Sequence, residues 1–175
     1  MLIARQEAEG RLVFANYLVD VFCLGVKDTF WNTGTLGDFK DLLEKIDEVQ
    51  KMVPIAPAAL VKIVKGAVDF ALLYDLHPHP DFRHTSMLLK GIDPAACTQE
   101  FTFGQGGVPF YIQGPHETSG QAVAIVRQIE QDGGRYIVDA SRSRSDEFND
   151  MNLDYDDDDD DDLDEDDEDL ALPSR

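Results

Sequence analysis

The amino-acid sequence predicts an α+β fold: an antiparallel sheet built from two hairpins, about four helices packed on it, and a disordered acidic C-terminal tail. Three observations carry that prediction. Two stretches rich in β-branched and aromatic residues, 2–24 and 101–112, each contain a turn signal. Between and after them, apolar residues recur at helical spacing. Beyond about residue 140 the composition changes abruptly from mixed to acidic.

A chain of 175 residues can bury one sizeable core and is short for two ordinary domains. The boundary is therefore placed near 140, with a single globular domain over 1–140 and the tail over 141–175. The net charge of -20 is unevenly distributed. From Asp146 onward there are 17 acidic residues against the single base Arg175, whereas residues 1–145 hold 18 acids and 14 bases. Direct nucleic-acid binding is disfavoured, because that affinity comes from neutralising phosphates with Lys and Arg. Two cysteines, Cys23 and Cys97, form neither a disulfide framework nor a CxxC metal knuckle. The N-terminus lacks the basic and apolar regions of a secretory signal. Asp20, Lys27 and Asp28 interrupt the longest apolar run and would be costly in lipid. The expectation is a soluble cytoplasmic protein that does not engage a membrane.

In the first hairpin, Leu2–Arg5 leads through a polar turn closing on Gly10 into the segment Leu12–Trp31. Both faces of that segment are largely apolar, which predicts one central strand covered on both sides, with a bend at Gly25 that carries Lys27 and Asp28 toward solvent. Asn16 and Asp20 share one face, and Cys23 lies on the other. Phe39, Leu42, Leu43, Ile46, Val49 and Val53 mark an amphipathic surface helix supported by the Asp41–Lys45 and Asp47–Lys51 spacings. After Pro54 and Pro57, a second helix buries Leu60, Val64, Ala67, Ala71 and Tyr74, and Gly66 within it predicts a close helix contact. His77-Pro78-His79-Pro80 interrupts helix, and Asp81 is placed to cap a short helix from Phe82 to Lys90. The second hairpin is FTFGQGGVPFYI, residues 101–112. Thr118 or Ser119 caps a last helix that Gly133 stops, and Arg135–Ala140 offers a final short strand.

Four constellations could carry chemistry. Cys23 could act as a nucleophile with His79 or His77 as base and Asp20 or Asp81 orienting the imidazole, although no local signature surrounds the cysteine. A buried cysteine behaving as a small hydrophobe is the simpler account. His77, His79, Asp81 and His84 cluster over eight residues, but the prolines stiffen their path, and neither an HExxH nor a paired-cysteine pattern is present. No metal or cofactor is therefore assigned. FGQGG sits inside a hairpin rather than at a helix N-terminus, so its amides would not converge on a phosphate. Finally, 14 of the 16 residues from Asp154 to Asp169 carry carboxylates. Without EF-hand spacing, that run points to a basic partner, or equally to a solubilising tail with no specific partner, rather than to calcium.

The segments VDVFCLGVKD (19–28), HPHPDF (77–82) and FTFGQGGVPFYIQGP (101–115) together resemble an uncharacterised bacterial protein family with VDxxCLGVKD, PHPDF and FGxxGxPxYxxGP segments. The resemblance spans roughly Leu12 to Ile129. It implies a coherent fold and bacterial origin, and it brings no assigned activity or catalytic residue. The expected function is a non-enzymatic cytoplasmic binding or adaptor protein whose acidic tail engages a basic protein surface. The alternative is a thiol-dependent hydrolase using Cys23 with His79 as base.

Overall fold

The computed structural model describes residues 1–139, so the acidic tail lies outside the described residues. Three strands, β1 (Leu2–Gln6), β2 (Leu12–Asp20) and β3 (Gly25–Gly34), form an antiparallel meander in the order β1-β2-β3. Helices α1 (Leu36–Val49), α2 (Pro57–Leu72) and α3 (Phe82–Thr85) follow, then the short strand β4 (Phe110–Ile112), helix α4 (Ser119–Glu130) and strand β5 (Arg135–Ile137). The α+β class is as expected, but the sheet arrangement is not.

The supposed single strand Leu12–Trp31 is two strands joined by a tight turn. The Asp20 carboxylate accepts hydrogen bonds from the amides of Phe22, Cys23 and Leu24 at 2.8, 3.2 and 3.2 Å. Gly25, at φ 66°, completes the reversal where a side chain would press on Ala67 and Ala71 of α2. The sequence placed a break near this point but read Asp20 as a strand-face residue. Its short carboxylate instead organises the backbone of its own turn.

Of the second hairpin only the turn forms, closed by an antiparallel bridge in which the Gln105 amide donates to the Val108 carbonyl at 2.8 Å. Phe101–Phe103 is not a strand: the Phe103 ring stacks with Phe70 at a centroid separation of 6.4 Å and lies against Gly66. The absent Cβ at Gly66 thus admits an aromatic ring rather than a second helix. Gly104 and Phe110 donate their amides to Val21 and Phe22, both at 3.0 Å, so the glycine-rich loop is tied to the β2–β3 turn. Strand β4 then pairs in parallel with β5, joined by α4 as the crossover.

Two packed clusters result. Ile3, Ala15, Tyr17 and Val26 of the sheet pack against Leu60, Val61, Val64 and Val68 of α2, with Leu88 and Leu89 closing one side. On the opposite face, Phe14 meets Phe39 of α1 at 5.5 Å between ring centroids. The second cluster gathers Cys23, Tyr111, Ala122 and Ile129 beneath α4.

The helices start where capping chemistry allows. Thr35 and Thr118 both form complete capping boxes, with Asp38 and Gln121 respectively, and Pro57 occupies the first turn of α2. The helix expected from Phe82 to Lys90 is shorter. It is α-helical only through Thr85 and continues as a 3₁₀ turn over Ser86–Leu89, and the Asp81 side chain makes no capping bond. Thr85 is fully buried, accepts the Tyr17 hydroxyl on its carbonyl at 2.8 Å, and meets the Thr29 hydroxyl at 3.1 Å. Docking of this residue onto the sheet coincides with the change of helix type.

Candidate functional site

The β2–β3 turn and the first residues of β3 gather the segments that the sequence singled out. The β2–β3 register steps from Leu18 opposite Asp28 to Val19 opposite Val26, so Lys27 is an extra residue without a cross-strand partner. Such a bulge re-aims a side chain. Here it directs the Lys27 ammonium to Glu117 Oε1 at 2.7 Å. The other oxygen, Oε2, accepts from the Tyr111 hydroxyl and from the Gly114 amide, both at 2.7 Å. One carboxylate thereby binds β3, β4 and the loop entering α4.

The electrostatics follow from this packing. Burial pushes the Glu117 carboxyl up, but the Lys27 ammonium, the Gly114 amide and the Tyr111 hydroxyl together hold it below the ordinary glutamate value. Burial, reinforced by the neighbouring Glu117 carboxylate, raises the Tyr111 phenol. Burial also pushes the Cys23 thiol up to about 12, with Asp20 and Glu117 adding to the effect and Lys27 opposing it. At neutral pH this thiol stays protonated, which removes most of its nucleophilicity.

The residues proposed from sequence are distributed as follows. Cys23 is fully buried in the second cluster, and Asp20 contacts it through its amide rather than orienting an imidazole. His79 donates its backbone amide to Val26 at 2.9 Å. Its ring Nδ1 accepts the Asp81 amide at 3.3 Å and lies 3.9 Å from the Asp81 carboxylate, while Nε2 lies 4.0 Å from Asp28. Accepting at Nδ1 places the proton of a neutral imidazole on Nε2, toward Asp28. The charges that act on Cys23 are those of Asp20, Glu117 and Lys27. His77 pairs with Asp75 at 3.1 Å, and His84 faces Arg83 at 3.3 Å. Among the described residues, no group of three or more His, Cys, Asp or Glu side chains is arranged to hold a metal ion.

Sequence reasoning missed Glu117 and Tyr111, and it sent Lys27 to solvent. A local signal was present: Glu117 follows Gly114-Pro115 and directly precedes the capping Thr118, a position suited to receive the Gly114 amide. The bulge that aims Lys27 has no comparable mark.

Chemically, Lys27, Glu117, Tyr111 and Gly114 make a mutually satisfied latch that fixes α4 to the sheet. Among the described residues, no helix is long and apolar enough to cross a membrane. No family model, curated protein or solved structure matches this chain.

Proposed function

We propose that the protein is a non-enzymatic binding or adaptor protein in which a folded α+β domain carries a polyanionic segment that engages a basic protein surface. The observation that carries this reading is the run of 14 carboxylates in the 16 residues from Asp154 to Asp169. A charge density of that kind steers and holds a lysine- or arginine-rich partner through long-range attraction. Two features of the domain support it. Two of the residues with catalytic potential serve the structure, Asp20 as the organiser of a turn and Cys23 as a protonated core side chain. The half-buried Glu117 and Lys27 neutralise each other. Membership of an uncharacterised bacterial family and a cytoplasmic location belong to the same proposal. In its favour, the three segments of the resemblance meet around one turn, through the amide bonds of His79, Gly104 and Phe110 to Val26, Val21 and Phe22.

The test compares the full chain with a form ending at residue 145, each used to capture partners at low and high salt. The shortened form should retain its far-UV circular dichroism and lose a partner that the full chain holds only at low salt. Equal capture by both forms at both salt concentrations would overturn the reading.

A further inference from the structure

The described chain leaves the domain at Asp139, on the rim of a cavity of about 120 Å³ between α4 and the end of β5. Ala122, Val123, Val126, Tyr136 and Val138 give it apolar walls, and Arg127 stands at its edge. The surface around it is open: Val123 is 47%, Tyr136 41% and Val138 40% exposed. Small-molecule sites usually occupy roughly 300–1,000 Å³. An apolar cavity of about 150 Å³ takes up a single benzene ring. The volume here therefore suits one aromatic or branched side chain.

The sequence supplies such a side chain close by. Residues 140–147 contain no large apolar residue, and Phe148 is the first, followed by Met151, Leu153 and Tyr155. The nine-residue step from Asp139 to Phe148 can span at most about 30 Å, more than enough to return to the cavity. Acids flank these apolar residues at Asp146, Glu147, Asp150 and Asp154, and Arg127 lines the cavity together with Asp139. Apolar character thus matches on the two sides, and Arg127 offers the flanking acids a cation.

We propose that residues 146–155 dock on the α4–β5 face of their own chain, with Phe148 in the cavity and a neighbouring carboxylate beside Arg127. The association is intramolecular, so even weak contacts act at a millimolar-range effective concentration. It covers an apolar patch and starts the acidic run at the domain surface.

Amide hydrogen exchange of the full-length chain tests this. Phe148→Asp should speed exchange of the Tyr136 to Asp139 amides by about fivefold or more, and Phe148→Leu should restore most of the protection. Arg127→Glu in the full-length chain should give an intermediate effect, as should added salt. Far-UV circular dichroism and Trp31 fluorescence check that each variant keeps its fold. Exchange in Phe148→Asp equal to that of the parent would overturn the proposal, as would loss of protection in Phe148→Leu to the same extent. Protection that grows with protein concentration would assign the face to a second copy and would also overturn it.

Discussion

At the scale of single residues, burial decides which groups can react. Cys23 is enclosed and its thiol is pushed up to about 12, whereas Cys97 is partly exposed. Iodoacetamide applied to the native protein should therefore alkylate Cys97 and leave Cys23 untouched, with both labelled in denaturant, as peptide mass spectrometry can show. Rapid labelling of Cys23 in the folded state would favour the thiol hydrolase instead. Glu117 makes a pH-dependent contribution. Its folded pKa is lowered from 4.5, so its stabilisation is present above that value and disappears as pH falls through the lower folded value. Glu117→Gln should cost about 1.5–3 kcal/mol at neutral pH, the range for hydrogen bonds to charged groups. The gap between variant and parent should narrow as urea titrations are carried below pH 4.5. A gap that stays constant down to strongly acidic pH would contradict this assignment.

At the scale of elements, the β2–β3 turn does more than connect two strands. Three amides converge on Asp20, and the segments bearing His79, Gly104 and Phe110 bond to the same turn or the strand that follows it. Asp20→Ala leaves those amides without their acceptor and should destabilise the protein by about 1–3 kcal/mol, measured by urea unfolding. Asp20→Asn, which keeps one oxygen acceptor, should recover part of the loss. Much of this element scale was readable in advance. The stripe on α2, the proline at its start, the Thr118 cap and the Gly133 stop are local features, and helices report them through spacing and capping chemistry. The second hairpin was misread for a matching reason. The alternation Phe101-Thr102-Phe103 fits a strand, but it also fits an extended loop whose Phe103 ring has found Gly66 and Phe70 on α2. Alternation alone does not distinguish the two.

At the scale of the whole molecule, two clusters share one turn. Val26 belongs to the sheet–α2 cluster and Cys23 to the cluster under α4, three residues apart across one reversal. This linkage predicts a single cooperative unfolding transition. Trp31, the only tryptophan, reports the sheet, and the accessibility of Cys23 to a thiol reagent reports the second cluster. In a Cys97→Ala background, their urea midpoints should coincide. Separate midpoints would mean that α4 with its strands detaches before the sheet melts.

The sequence by itself determined the features that depend on composition and short spacing: the α+β class, the places of α1, α2 and α4, the capping of α4, the first hairpin, and the division of charge between a mildly acidic domain and an acidic run. Tertiary structure alone decided the rest. That β4 takes β5 as a parallel partner, that a bulge turns Lys27 from solvent to Glu117, and that Cys23 is sealed beneath α4 all depend on segments distant in sequence. Periodicity records which face of a segment is apolar. It does not record which distant segment will cover that face, because partner choice comes from shape and register among elements rather than from any residue's local preference.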